Sequence, residues 1–195
     1  MKHRVVDELH FVLVFVGIVW AVFLLDLVVP GSALSFGLVP RTLSHTPGIV
    51  LMPFLHDGWD HILGNTVPLI VLLCLLAGSR ANTYGIVPAI ILLGGALLWL
   101  LGRPGTRHVG ASGLVYGLIA FLIVAGFRER RLGALAIAVF VGVSYGATLL
   151  SGILPITVEE GVSWDGHLMG AIAGGIVAFL AVSPEDQTAS SSSIA

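Results

Sequence analysis

Six continuous apolar stretches divide the chain, and the polar residues gather between them. The stretches lie near residues 9–29, 61–78, 85–101, 110–127, 132–150 and 166–182. Each has close to the roughly 20 residues that a helix needs to cross about 30 Å of hydrocarbon. Continuous rather than alternating apolar runs exclude a β-barrel, and helices then remain as the structure whose backbone groups pair internally in lipid. The pattern predicts an all-α membrane protein, a six-helix bundle in one domain over residues 1–182.

The segments outside these stretches differ in character. The first connection, residues 30–60, is rich in Pro and Gly but contains the apolar runs "FGLVP" and "GIVLMPFL". We therefore expect it to rest partly in the membrane interface. The tail, residues 183–195, is polar and rich in serine, and we expect it to be disordered.

The composition agrees with a surface that faces lipid. Hydrophobic residues make up 56% of the 195 residues, and charged residues make up 10%. The mean hydropathy is +1.02, whereas a soluble domain carries roughly 25% charged residues. The formal net charge of −2 gives no indication of a nucleic-acid partner. Cys74 is the single cysteine, so an intramolecular disulfide is excluded.

The distribution of lysine and arginine predicts the orientation, because cytoplasmic loops carry the excess of these residues. With the N-terminus inside, six basic residues fall on the inner side and three on the outer side. The inner cluster "RERR", residues 128–131, contributes most to this difference. We expect a multi-pass protein of the cell membrane with both termini in the cytoplasm. The inner residues are Lys2, Arg4, Arg80, Arg128, Arg130 and Arg131, and the outer ones are Arg41, Arg103 and Arg107.

In this orientation the polar residues of three spans lie at one depth. The second, fourth and sixth spans run inward from the outer face and open with "HDGWDHILGN", "RHVGASG" and "SWDGHLMG". His56, His61, Asn65, Ser112 and His167 therefore all fall near the outer surface. Polar groups in membrane spans are functional candidates by default. The pattern predicts a shared site just below the outer interface.

Small residues indicate which helix faces meet. Gly113 and Gly117 repeat at an interval of four beside Ser112 in the fourth span. Small residues at this spacing let helices approach closely in membranes. If the two faces pack together, Ser112 and His167 come within hydrogen-bonding reach, which is the nucleophile–base arrangement of serine catalysis. The sixth span carries the same spacing at Gly166, Gly170 and Gly174.

Two further groups fit this chemistry. His61 and Asn65 lie one helical turn apart on one face of the second span. An amide donor near the serine, together with the backbone N–H of the serine itself, can stabilise the oxyanion of a tetrahedral intermediate. Tyr116, one turn beyond Ser112, is placed to pack against the imidazole of His167.

Together, "HDGWDHILGN", "GASGLVYG" and "DGHLMGAIAGG" resemble the rhomboid family of intramembrane serine proteases in its six-span form. The resemblance implies Ser112 as nucleophile and His167 as general base, without a required acid. It also implies an oxyanion hole from His61, Asn65 and the Ser112 backbone, with Tyr116 stacked on His167. The expected partners are single-span transmembrane protein substrates and the lipid bilayer, and neither a metal nor a cofactor is implied.

The chain departs from the family pattern in its first connection. Family members commonly carry a Trp-Arg pair there, whereas this chain has Pro40 before Arg41. By the same resemblance, His56 matches the first histidine of the second-span motif, where its role is structural. The fifth connection, "SGILPITVEEGVSW", would be the mobile cap through which substrate or water reaches the site.

Each candidate also has a purely structural interpretation when taken alone. Ser112 fits a packing serine, Asn65 a helix cap, and His167 an anchor at the interface. His108 competes as the base because it lies four residues before Ser112, but "RPGTRH" indicates that the helix has barely begun there. Asp165 points roughly 200° away from His167 on a helix, so it is disfavoured as a third catalytic group.

Other assignments remain open at this point. Asp26 near the outer end of the first span is interpreted as reaching the interface rather than taking part in chemistry. The glycine spacing favours packing within one chain, so we expect a monomer. A non-catalytic relative that binds transmembrane helices is the main alternative, although such relatives usually lack the serine or the histidine. A transporter would instead place ionisable residues near the midplane or show inverted repeats.

Overall fold

A computed structural model describes residues 5–29, 31–79, 82–157 and 161–183. This part of the chain forms α-helices and short 3₁₀ turns, and its β-pairing is confined to one isolated bridge between Leu38 and His108. Within these described ranges, six helices are long and apolar enough to cross a membrane, and the predicted all-α bundle is confirmed. The helices are α1 (Val5–Val28), α2 (Gly48–Leu51), α3 (Trp59–Gly78), α4 (Thr83–Leu101), α5 (Ser112–Glu129), α6 (Leu132–Ile153) and α7 (Trp164–Ala181).

The observed helix ends differ from the predicted ones by a few residues, for local reasons. Helix α1 begins at Val5 rather than at residue 9, because hydropathy marks the apolar part of a helix and omits a polar first turn containing Asp7 and Glu8. Helix α5 begins at Ser112 rather than at residue 110. Gly110 has φ +105°, a left-handed conformation that glycine adopts without steric cost and that a helix cannot include.

Helix α5 lies at the centre of the bundle. It packs against α3, α4, α6 and α7, and its side chains Leu118, Ile119 and Phe121 are fully buried. Helices α1 and α6 lie at the periphery, and α6 is the least buried of the six long helices. The helix that begins with Ser112 is therefore the one most completely enclosed by the rest of the protein.

The contact between α5 and α7 is built from glycine. A methyl group at Gly170 would overlap the carbonyl of Gly113, and one at Gly174 would overlap the carbonyl of Gly117. The two backbones thus approach without side chains between them, as small residues permit in membrane helices. This close approach brings the first turn of α7 beside the first turn of α5.

The first connection docks on the bundle despite the Pro40–Arg41 departure. Leu38 exchanges two backbone hydrogen bonds with His108, at 3.0 and 2.8 Å. The Arg41 backbone N–H donates to the carbonyl of Trp99, and its Nη1 donates to the carbonyl of Leu100 at 2.9 Å. This docking holds the segment that leads into α5.

Candidate active site

The N-terminal ends of α3, α5 and α7 surround one polar cavity. Its volume is about 600 Å³. It contains four of the five polar residues that the sequence places at one depth; the fifth, His56, is buried behind it. The lining residues are Asp57, Asp60, His61, Gly64, Asn65, Arg107, Val109, Ser112, Gly161, Val162, Ser163 and His167.

Ser112 and His167 meet at this cavity. The Ser112 Oγ lies 3.0 Å from the His167 Nε2. The His167 Nδ1 lies 3.0 Å from the carbonyl oxygen of Gly152, near the C-terminal end of α6. A carbonyl oxygen only accepts, so Nδ1 carries the hydrogen and a neutral ring presents a lone pair at Nε2. His167 is therefore in the tautomer that can take the proton of the serine hydroxyl.

The Tyr116 ring stacks on one face of the His167 imidazole. The Tyr116 and His167 rings are stacked, with centroids 4.1 Å apart and an interplanar angle of 3°. The Tyr116 hydroxyl donates to the carbonyl of Thr148 at 3.0 Å. A methyl group at Gly152 would overlap this hydroxyl. The last turns of α6 thus position both rings through backbone atoms alone.

Asn65 and His61 line the wall of the cavity near Ser112. The Asn65 Nδ2 donates to the His61 carbonyl at 3.0 Å, which leaves its second amide hydrogen for another acceptor. The His61 ring lies against Gly110, where a methyl group would overlap it. Two features therefore favour glycine at position 110: its positive φ, and the His61 ring, which occupies the space a side chain would need.

Asp57 determines the hydrogen positions on His61. The Asp57 Oδ1 lies 2.6 Å from the His61 Nδ1, one helical turn away. An ionised carboxylate only accepts, so Nδ1 carries a hydrogen. A neutral His61 then has no hydrogen at Nε2, and only its imidazolium form can donate from that atom.

His56 supports the segment before the serine from behind. It is buried, and its Nε2 accepts a hydrogen bond from the Ala111 backbone N–H at 3.4 Å. Its ring lies 5.0 Å from the His61 ring. Burial, assisted by the neighbouring His61, lowers the pKa of His56 to about 4. His56 is therefore neutral at physiological pH and keeps the lone pair that Ala111 requires.

His108, the competing base, has different partners. Its Nδ1 lies 2.6 Å from the Ser163 Oγ, and its Nε2 lies 2.8 Å from the Thr106 Oγ1. Burial lowers its pKa, opposed by the neighbouring carboxylate of Asp165. His108 is thus directed toward Ser163 and not toward Ser112.

The two aspartates considered from the sequence also have other partners. Asp165 accepts from the Arg103 backbone N–H at 2.9 Å and from Arg103 Nη2 at 3.1 Å. Asp26, in the last turn of α1, accepts from the backbone N–H of Ala33. Neither carboxylate contacts the His167 ring through the hydrogen bonds of the described residues.

Three contributions to the site were missed from the sequence. Asp57 lies four residues before His61 but outside the apolar stretch 61–78, so hydropathy gives no indication that the two side chains are in contact. Gly152 and Thr148 act through backbone carbonyls, which leave no trace in residue type.

Among the residues described, no group of three or more His, Cys, Asp or Glu side chains is arranged to hold a metal ion.

Comparison with known proteins agrees with this architecture. The family model described as Rhomboid domain matches residues 44–184. An uncharacterized protein of Mycobacterium tuberculosis is 39% identical over 182 residues, which cover 89% of this chain and 75% of the relative. An uncharacterized protein of Mycobacterium leprae is 38% identical over 184 residues, which cover 91% of this chain and 72% of the relative. With six apolar helices and a family match over most of its length, the chain belongs to the rhomboid family of multi-pass membrane proteins.

Proposed function

We propose that this protein is an intramembrane serine protease in which Ser112 is the nucleophile and His167 the general base. The observation that carries the proposal is the 3.0 Å contact between Ser112 Oγ and His167 Nε2 at a polar cavity in a membrane bundle. A packing serine has no need of a histidine lone pair. A nucleophilic serine requires one, because the hydroxyl is a weak nucleophile until a base takes its proton.

The reaction follows from the hydrogen positions. His167 Nε2 takes the hydroxyl proton while Ser112 Oγ attacks the carbonyl carbon of the scissile peptide bond. The imidazolium then gives this proton to the leaving amine, and an acyl-enzyme ester remains. A water molecule attacks the ester with His167 again acting as base, which releases the carboxylate product and restores the serine. Throughout, His167 Nδ1 keeps its hydrogen and donates it to the Gly152 carbonyl.

Oxyanion stabilisation is assigned to donors at the start of α5 and on α3. The first N–H groups of a helix have no intrahelical acceptor, and Ser112 is the first residue of α5. Its N–H and the free amide hydrogen of Asn65 would donate in either charge state of His61. Because Asp57 holds the hydrogen of a neutral His61 on Nδ1, His61 adds a third donor, at Nε2, only as the imidazolium.

The substrate class follows from the location of the cavity. A peptide bond inside a transmembrane helix is shielded by its own backbone, so the substrate must unwind near the cavity before attack. We expect single-span substrates with small or helix-breaking residues at that depth. With both termini in the cytoplasm, the cavity opens toward the outer face, and hydrolytic water enters from that side.

The test is cleavage of a fluorescent single-span substrate by purified protein. Ser112→Ala and His167→Ala should each abolish detectable cleavage without loss of the folded state. Asn65→Ala should lower kcat roughly 100- to 1,000-fold, as the loss of one oxyanion donor does. Cleavage that persists in Ser112→Ala would refute the assignment of the nucleophile.

A non-catalytic helix-binding relative is the alternative. An activity-based fluorophosphonate probe separates the two, because it reacts with an activated serine irrespective of the natural substrate. Labelling at Ser112 that disappears in His167→Ala supports the protease. A wild-type protein that binds transmembrane helices but takes no label would support the alternative.

A further inference from the structure

A second cluster of serine, histidine and aspartate lies beside the candidate dyad. His108 Nδ1 lies 2.6 Å from Ser163 Oγ, and His108 Nε2 lies 3.8 Å from Asp165 Oδ2. His108 and Asp165 are each 3% exposed, and the mechanism above uses neither of them. Burying a histidine and a carboxylate costs free energy unless they are paired, and here His108 is paired with Ser163 and Asp165 with Arg103.

The hydrogens of the cluster can be assigned from its partners. The Thr106 hydroxyl donates to the Arg103 carbonyl at 2.7 Å, so toward His108 Nε2 it can only accept. His108 therefore carries its hydrogen on Nε2, and its Nδ1 accepts from the Ser163 hydroxyl. Asp165, charged and held by Arg103, faces the Nε2–H side of the ring. The Ser163 hydroxyl thus donates to His108 Nδ1, and the Nε2 hydrogen of His108 is donated to Thr106, with the Asp165 carboxylate 3.8 Å from the same nitrogen.

The cluster links the two segments that carry the dyad. His108 lies four residues before Ser112, and its backbone is paired to Leu38 of the first connection. Ser163 directly precedes α7, and its carbonyl accepts the backbone N–H of His167 at 3.0 Å. The Ser163 hydroxyl contact is thus a tie between the segment before α5 and the first turn of α7.

On the basis of the proposed protease function, we propose that His108, Ser163 and Asp165 are positioning residues that hold His167 at hydrogen-bonding distance from Ser112. The buried imidazole sets the place of Ser163, and the Arg103–Asp165 pair anchors the first turn of α7 from the other side. Without this tie, the glycine contact between α5 and α7 still holds the helices together, but the first turn of α7 loses its lateral anchor.

The alternative role for these residues is to activate Ser163, which lines the cavity, as a second nucleophile. The experiment decides between the two roles. Fluorophosphonate labelling of Ser112→Ala, followed by mass-spectrometric mapping, should find no label at Ser163. A label there would overturn the positioning role.

The main test compares Ser163→Ala, His108→Gln and the conservative variant Ser163→Thr with wild type. Ser163→Ala and His108→Gln should lower kcat roughly 10- to 100-fold with little change in KM, because small misplacements of reacting groups have effects of that size. Ser163→Thr, which keeps the hydroxyl, should recover most of the activity. His10→Gln, an exposed histidine on α1, is the matched control and should behave as wild type.

Hydrogen exchange provides a readout that does not depend on protease activity. In Ser163→Ala and His108→Gln, the amides of residues 163–168 should exchange faster, while those of the rest of α7 remain unchanged. If exchange is faster in the two variants but the wild-type protein cleaves no substrate, the proposed function is refuted, while the structural link between His108 and Ser163 is supported. Unchanged exchange and unchanged kcat in both variants, with cleavage still lost in Ser112→Ala, would refute the positioning role alone.

Discussion

At the scale of single residues, the state of His167 depends on one backbone carbonyl. Serine hydrolases commonly orient the histidine with a carboxylate, whereas here the Gly152 carbonyl accepts the Nδ1 hydrogen. The carbonyl belongs to the last turn of a helix, where such groups lack an intrahelical partner. Because the Gly152 carbonyl is neutral, it fixes the tautomer of His167 without adding a charged carboxylate to the bundle.

Gly152→Ala tests this arrangement. The added methyl group would overlap the Tyr116 hydroxyl, so the stacked Tyr116 ring and His167 must move relative to Ser112. We expect kcat to fall about tenfold or more. Gly146→Ala in the same helix meets open space and should leave kcat unchanged. Equal activity of the two variants would contradict the positioning by Gly152.

At the scale of helices, the contact of α5 with α7 determines whether the dyad forms. The two helices carry Ser112 and His167 in their first turns, and their separation is limited only by backbone atoms. A shift between them would change the serine–histidine distance directly. This interface therefore couples the stability of the bundle to the serine–histidine geometry on which the proposed protease function depends.

Gly174→Ala should lower both stability and activity. Its methyl group would overlap the Gly117 carbonyl, which belongs to a rigid helix backbone. Overpacking of this kind costs about 1–3 kcal/mol, and we expect a lower thermal midpoint in detergent together with a lower kcat. The neighbouring Gly175→Ala meets open space and should retain the midpoint. A Gly174→Ala protein as stable as Gly175→Ala would show that the helices are free to move apart.

At the scale of the whole molecule, the connections on the cavity side depend on buried neutral histidines. His56 supports Ala111 from the first connection, and His108 joins the connection before α5 to Ser163. Burial lowers the pKa of both groups. Protonation of either ring would remove a lone pair that now accepts a hydrogen bond.

Acid should therefore destabilise the protein. Between pH 6.5 and about 4, His56 is protonated in the unfolded chain but not in the folded one. Stability contributed by this neutral group is present above pH 6.5, falls as the pH drops through this window, and changes no further below about 4. The loss is on the order of 3 kcal/mol at about 1.4 kcal/mol per pH unit. Thermal unfolding in detergent across the window should show the slope, with a smaller slope in His56→Gln and an unchanged one in His10→Gln.

The orientation of the bundle is a second prediction at this scale. In a Cys74→Ser background, Ser35→Cys in the first connection should react with a membrane-impermeant maleimide added to intact cells. Leu132→Cys, exposed at the other end of the bundle, should react only after permeabilisation. The reverse pattern would place the cavity on the cytoplasmic side.

Much of the fold was predictable from the sequence, because lipid imposes a simple rule on it. A span must be a helix of nearly fixed length, so six apolar stretches predict six helices whatever their arrangement. The predicted ends failed where the rule does not apply, as at the polar first turn of α1 and at Gly110. Glycine spacing also predicted which faces of α5 and α7 could approach, since only small residues permit that distance.

The sequence alone determined the six spans, because each depends on residue type along one stretch of the chain. Its motifs pointed to Ser112 and His167 as candidate nucleophile and base through their resemblance to the rhomboid family. Only the tertiary structure decided the hydrogen positions on the two cavity histidines and on His108 beside them. These depend on the Gly152 carbonyl for His167, on Asp57 for His61 and on Thr106 for His108. Gly152 belongs to a different helix from His167, so residue order does not specify that contact. Asp57 and Thr106 lie close to their histidines in the chain, but their side chains have several rotamers, and the folded structure selects the one that reaches the ring.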